Sequence, residues 1–358
     1  MLPPSFRRKP ESSVFLATLT TSLLCAQLAF AQQPLEPLPA ATPLPRLPTS
    51  MLSVNPPSAR VAGSPGSMQI IERSCNSAPL DASLRQRIVA TAAQEWAFFG
   101  FQVDDQRGTA PIPGAPPNNT RRIFGPLNAS EVARVADSVG GYWSAAPGSD
   151  WILARQNEAW NGPDGLASRY RDPWSAAFIS WVMCESGLGE NERFQRAIAH
   201  HSYIDQAITA RDSNSTSAAY TAYDPGEQQV NPGDMLCSGL RPMYRNLQQR
   251  RAQLGVGART HCDIVVQVDD QAGQILTIGG NVRSSVRMKI FPAGKVDGRE
   301  LAPLPTARPI FAHLKLRAEP IDARALEQTP TLRSLGCLMP DTPPTFATAS
   351  IAAPQVAC

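Results

Sequence analysis

The sequence predicts an α+β fold in which helices come first and an antiparallel sheet follows. Between Trp174 and Cys184 no residue is charged, the mark of a helix buried on every side. Residues 81 to 100 carry apolar side chains at spacings of three and four, as an amphipathic helix requires. From Met235 onward, short apolar or alternating runs are separated by turn residues, which is the habit of strands.

In chain order, Asp81 caps a first helix with the stripe Leu84, Ile88, Ala92, Trp96 and Phe99, and Gly100 stops it. Residues 104 to 127 hold Pro111, Pro113, Pro116 and Pro117 and form a loop. Ser130 opens a short helix that closes near Gly140, and Trp143, Trp151 and Trp160 follow in an irregular stretch. The buried helix spans 172 to 187, with Asp172 as N-cap, Pro173 at the first helical position and Gly187 past its end. Asn191 caps the next helix, whose stripe is Phe194, Ala197, Ile198, His201 and Ile208. Asn231 to Asp234 turns into a strand at Met235 to Cys237, and Arg241 to Leu254 is an intervening helix. Two strands, His261 to Val268 and Gln274 to Ile278, flank the turn 269 to 273, and Val282 to Ile290 and Ile310 to Leu316 complete the sheet.

With 358 residues, 42% of them hydrophobic, the chain is long enough to bury a substantial core, so full disorder is excluded. A net charge of +3, from 33 basic and 30 acidic residues without a dense basic run, excludes a nucleic-acid binder. Residues 1 to 31 have a basic start at Arg7, Arg8 and Lys9, an apolar run from Val14 to Phe30 and the small-x-small triplet Ala29 to Ala31, the plan of a signal peptide. No other stretch is long and apolar enough to span a bilayer, so the mature chain is expected to be soluble. Residues 32 to 70 hold nine prolines and almost no charge and are expected to form a disordered tether. The folded domain is placed at 71 to 318, and 319 to 358 is a Pro-rich tail. Six cysteines remain after residue 31, at 75, 184, 237, 262, 337 and 358, an even number that favours disulfides in an exported chain. Fifteen pairings are possible. Cys237 and Cys262 begin strands expected to be neighbours, so a bridge between them is one expectation. The four histidines, at 200, 201, 261 and 313, make no zinc pattern with these cysteines, and no metal or organic cofactor is implied.

Ser175 lies in the first turn of the buried helix, where unpaired N–H groups and the helix dipole favour developing negative charge. A hydroxyl there needs a base, and a histidine oriented by an amide or carboxylate is the usual supplier. If 269 to 273 is a five-residue hairpin loop, Val268 pairs with Gln274 and Asn281 falls opposite His261. Alternation puts His261, Asp263, Val265 and Gln267 on one face. Asp263 could make His261 more basic, but neighbours on one strand face stand roughly 6 to 7 Å apart, so direct contact is not expected. Cys184 is nine residues beyond Ser175, roughly 13 Å along the helix, too far to replace it. His201 is expected in the core or, with Tyr203, lining a cleft; Trp174 and Trp181 are expected in the core; His200 and His313 are expected in solvent.

The order of these segments resembles a known family. A buried helix with a nucleophile at its start, Pro-Gly-Asp before a strand, a strand opened by histidine, and Ile278-Gly-Gly-Asn281 are similar to the CHAP-type amidases and related papain-like cell-wall peptidases. The segments Pro173-Trp-Ser-Ala-Ala-Phe178 and His261-Cys-Asp-Ile-Val-Val266 also resemble a bacterial family of exported proteins of unknown function. The resemblance implies a papain-like fold, with Ser175 as nucleophile, His261 as base and Asn281 as orienter, supported by Asp263, Trp174, His201 and Tyr203. CHAP-type enzymes carry cysteine where this chain has Ser175. The implied activity is hydrolysis of an amide bond in peptidoglycan by an exported protein of the periplasm, or of the extracellular space. The alternative is a catalytically silent papain-like module that binds cell-wall peptide or a partner protein.

Overall fold

A computed structural model of the chain describes residues 42–107, 128–296 and 298–338. Along them run α1 (Ala82–Phe98), α2 (Ala129–Ser144), α3 (Asp150–Trp160), α4 (Ser175–Ser186), α5 (His200–Asp212), α6 (Leu247–Arg251) and α7 (Pro330–Leu338). The strands are β1 (Val61–Ala62), β2 (Gln69–Ile70), β3 (Val103–Asp105), β4 (Tyr220–Tyr223), β5 (Met235–Arg241), β6 (Arg259–Asp269), β7 (Gln274–Val282), β8 (Ser285–Gly294), β9 (Ala302–Pro303) and β10 (Ile310–Leu316). The α+β order is as expected. The main sheet runs β3-β8-β7-β6-β5-β10-β4, with β9 on β8, while β1 and β2 make a separate ribbon. Neighbours are antiparallel except β3, which lies parallel to β8, so the sheet is mixed.

Helices α1, α2, α4 and α5 join one face of this sheet in a single core, whose sheet side is Cys262, Ile264, Leu276, Ile278, Met288 and Ile290. A smaller apolar cluster, Val230, Leu236, Val265, Ile275, Ala293 and Leu301, lies on the other face. Helix α4 is the centre of the first core because Ala176 to Glu185 are all buried; each large apolar side chain there contributes roughly 1.5–3 kcal/mol. Gly187, at φ +112°, ends it in the left-handed conformation. Its N-cap is Trp174, and no side chain caps its first turn; Asp172, the expected cap, faces Arg155 instead.

Two disulfides are present among the described residues. Cys237 and Cys262 sit directly opposite on β5 and β6 and are bridged, as their placement on neighbouring strands led us to expect. The second ties Cys75 to Cys184 at the end of α4. Both fit a non-reducing compartment, and no helix among the described residues is long and apolar enough to cross a membrane.

Several boundaries differ from expectation. From residue 42 the expected tether is docked: Arg46 donates to both carboxylate oxygens of Glu95 at 2.6 and 2.7 Å, Arg60 donates to Glu185 at 2.6 Å, and Leu52 and Val54 are buried. Ion pairs hold a segment whose apolar content alone would not. The expected tail is likewise folded through residue 338, with a backbone bond from Val268 to Ala323 and Leu326 in the core. The expected signal peptide, the start of the expected tether and residues 339–358 with Cys358 lie outside the described residues. Asn128, not Ser130, caps α2, whose last turn holds Trp143, while Trp151 and Trp160 lie on α3. The helix expected from Asn191 starts at His200. Tertiary bonds hold the segment before it in turns: the Ala197 N–H donates to Ser180 Oγ, and Arg196 donates to the carbonyls of Ala145 and Gly189. Between Arg241 and Leu254 only α6 is helical, capped by Asn246 beyond Pro242.

Candidate functional site

The site starts from a fault in the sheet. At the hairpin turn Asp269 pairs with Gln274 and Val268 with Ile275, one residue away from the expected register. A bulge between Val265 and Gln267 then restores the expected sum, so that Ile264 faces Ile278. There the pairing of β6 with β7 ends, although β6 continues to pair with β5 through Cys262, His261 and Thr260. The backbone N–H of Cys262 lies in the plane of the sheet with no β7 partner, and His200 from the first turn of α5 fills the gap: the N–H donates to His200 Nδ1 at 3.2 Å.

Two glycines shape the space. A Cβ on Gly280 would stand 2.5 Å from Phe178 Cβ of α4, and one on Gly279 would stand 1.9 Å from Asp263 Oδ1 and 3.2 Å from His261 Nε2. Neighbouring residues of a strand face opposite ways. Gly280 therefore admits α4 on one side, and Gly279 admits the His261–Asp263 pair on the other.

The hydroxyl of Ser175 meets His200 rather than His261: His200 Nε2 is 2.8 Å from Ser175 Oγ. Tyr203, one turn along α5, bonds His200 Nδ1 through its hydroxyl. Because a backbone N–H can only donate, Nδ1 must be the acceptor of both bonds, and a neutral His200 carries its hydrogen on Nε2 and gives it to Ser175. The ring of His261 lies 5.0 Å from that of His200, centroid to centroid. His261 Nε2 donates to Asp263 Oδ1 at 2.9 Å, and Lys289 Nζ donates to Asp263 Oδ2 at 2.7 Å. A carboxylate accepts only, so it fixes the His261 hydrogen on Nε2 and leaves Nδ1 bare.

Burial drives His200 well below the usual histidine pKa, and the neighbouring His261 pushes it the same way. Burial also lowers His261, although Asp263 opposes this, with Lys289 adding to the lowering. Burial alone would raise Asp263, but the charges and bonds of His261 and Lys289 overcome it and hold the group far below the ordinary carboxylate value. At neutral pH the site is therefore two neutral imidazoles beside a Lys–Asp ion pair. The unfolded chain binds protons below about pH 6.5 that the folded chain refuses, so stability falls as pH drops through that value until the folded pKa values are reached. Each histidine contributes at most ~1.4 kcal/mol per pH unit. Urea midpoints at pH 7.5, 6.5 and 5.5 should decrease in that order, and His200→Gln should flatten the trend; a midpoint constant across the series would contradict buried neutral imidazoles.

Several sequence expectations change. Asn281 makes no hydrogen bond to His261 among the described residues and stands at φ +56°, past the end of the paired stretch. Asp263, expected out of reach, touches His261 directly because the ring leans along the strand over Gly279. His201 Nδ1 faces the carbonyl of Ala258 at 3.2 Å and braces the connector before β6. Trp174 and Trp181 are core, with the Trp174 ring packed between Phe99 and Tyr142. His313, expected in solvent, is fully buried on Asp234 at 2.8 Å. The sequence reading missed His200 and Lys289. The i, i+3 spacing of His200 and Tyr203 on one helix face was the available signal for the first; Lys289, on β8, could be found only through the sheet register.

No curated protein and no solved structure matches the chain. A family model described as "Uncharacterized protein conserved in bacteria (DUF2272)" matches residues 132–314, from α2 to β10, and thus includes Ser175, His200, Tyr203, His261, Asp263 and Lys289. That span is about half of the 358 residues, and the chain belongs to this bacterial family.

Proposed function

We propose that the protein is an exported hydrolase of the bacterial cell envelope, acting on an amide bond of peptidoglycan with Ser175 as nucleophile. The observation that carries this reading is the Ser175 hydroxyl held at 2.8 Å by His200 at the open start of a buried helix, beside a second imidazole whose tautomer a carboxylate fixes. Buried titratable groups with shifted pKa values, as His200, His261 and Asp263 are, cluster at functional sites. The bond from His200 occupies a lone pair of Ser175 Oγ and leaves the hydroxyl hydrogen free. His261, bare at Nδ1, is the base that takes it as Oγ attacks the carbonyl carbon. His261 then returns the proton to the departing amine nitrogen, and water cleaves the acyl-serine to a carboxylate in the second half. Asp263 replaces Asn281 as orienter. Among the described residues Ser175 makes its side-chain bond to His200 and none to His261, which stands on the side that Gly279 opens, so Ser175 Oγ and His261 Nδ1 must come together on substrate, as catalytic contacts in unliganded sites commonly do. The papain-like and CHAP-type comparison is supported by the helix-borne nucleophile and the strand-borne histidine, and the two disulfides support export to the periplasm.

A second reading is favoured by one observation. His200 donates to Ser175, so the resting hydroxyl is held as an acceptor and not deprotonated, as a silent peptide-binding module would leave it. Incubation of the chain with purified peptidoglycan separates the two. Release of soluble peptide fragments by the native chain, absent with Ser175→Ala, is expected. Release by Ser175→Cys alone, or binding without release by all three, would establish the silent module instead.

A further inference from the structure

The β5–α6–β6 connector beside this site carries an unused concentration of positive charge. Arg241 and Arg259 pair across the end of β5 and β6, and with Gly257 and Ala258 they line an open cleft of about 470 Å³. Both guanidinium groups are exposed, as are Arg245 and Arg308, and among the described residues none of the four has an ion-pair or side-chain hydrogen-bond partner. By contrast, Arg250 and Arg251 of the same connector are paired with Asp205 and Asp212. From Gly239 to Cys262 the sequence has no acidic residue. The same stretch of chain also leaves Leu240, Met243, Leu254 and Val256 in solvent, four of the exposed large hydrophobic side chains.

The cleft is rigidly tied to the site. Ala258 is bonded to His201, the neighbour of His200, and Arg259 precedes His261 by two residues, roughly 6 to 7 Å along the strand. Arg308 is close enough for its charge to act on His261. Two guanidinium groups lining one cleft match a carboxylate bidentately, and the apolar side chains exposed on the same connector suit a peptide carrying that carboxylate. We propose that the cleft between Arg241 and Arg259 is a subsite that anchors a free carboxylate of an acidic peptide, so that the substrate of Ser175 is a carboxylate-bearing stem peptide. This assignment rests on the hydrolase reading for its link to chemistry, but its binding can be measured without turnover.

The test uses the full chain carrying Ser175→Ala and a fluorescein-labelled stem peptide from peptidoglycan, with its carboxylates free or amidated, followed by fluorescence anisotropy. The free acid is expected to bind at least about tenfold more tightly than the amide, and Arg241→Gln with Arg259→Gln is expected to remove that difference. Acetate should compete at concentrations no higher than those at which inorganic phosphate does. Equal binding of acid and amide, or a preference that survives both Gln substitutions, overturns the subsite even where the native chain hydrolyses peptidoglycan. Displacement by phosphate at far lower concentration than acetate reassigns the anion to a phosphate and also overturns it. Selective binding of the acid in a chain that releases no fragments would keep the subsite and remove the hydrolase.

Discussion

If Ser175 is the nucleophile of the proposed hydrolase, Asp263→Asn is expected to lower kcat for peptidoglycan cleavage by about 10³-fold or more, with little change in the fold. The carboxylate at this position accepts two bonds, from His261 Nε2 at 2.9 Å and from Lys289 Nζ at 2.7 Å. Asparagine keeps the shape, but Lys289 claims its carbonyl oxygen and the amide N–H₂ turns toward His261. Facing a donor, Nε2 becomes the acceptor and the hydrogen moves to Nδ1, the atom proposed to take the proton of Ser175. The wrong tautomer is thus built in. Lys289→Met gives the complementary result. It removes a charge that holds the His261 pKa down, so that pKa rises, and the acid limb of the pH–rate profile moves to higher pH while the plateau changes little. Steady-state rates from pH 5 to 9 read both effects. A native-like kcat in Asp263→Asn would remove His261 as the base and leave His200, whose bond to Ser175 it does not touch, as the group to re-examine.

Much of the fold was legible because local signals and burial agreed. The charge-free run from Trp174 to Cys184 can only be a buried helix, and Gly187 stops it where expected. Cys237 and Cys262 were placed on adjacent strands by pattern alone, and the bridge follows from their register. The site was legible in its residue types and less so in its contacts. Counting along β6 and β7 carried Asn281 to His261 because it assumed an unbroken ladder; the bulge restores the expected register, but the end of pairing beyond Ile264 is a tertiary event that no local residue announces. His200 was missed because a polar residue beside His201 looks solvent-exposed when the helix is drawn from Asn191; starting it at His200 turns that residue and Tyr203 inward together. The docking of residues 42–70 was hidden for the same reason, since Arg46 and Arg60 find carboxylates 49 and 125 positions away.

Arg85→Met is expected to cost about 3–5 kcal/mol of stability. Arg85 is fully buried on α1, and all its bonds are made: to Asp234 Oδ1 and the Pro232 carbonyl at 2.7 Å each, to the Ala318 carbonyl at 3.0 Å and to the Leu316 carbonyl at 2.6 Å. Methionine fills the volume but leaves three carbonyls without their donor and Asp234 without its ion pair to a guanidinium. The remaining partners of Asp234, which are His313 and the N–H groups of Asn231 and Leu316, then have to support a buried anion alone. Asp234→Asn in the same chain should recover part of the loss, because the uncompensated charge is removed with its partner; a loss in the double variant equal to the sum of the two single losses would show that the carbonyls, not the ion pair, carry the cost. Urea unfolding at pH 7.5 measures all four chains. The consequence reaches the site, because Asp234 ends the turn that starts β5, and β5 sets the position of Cys262, whose N–H holds His200 against Ser175.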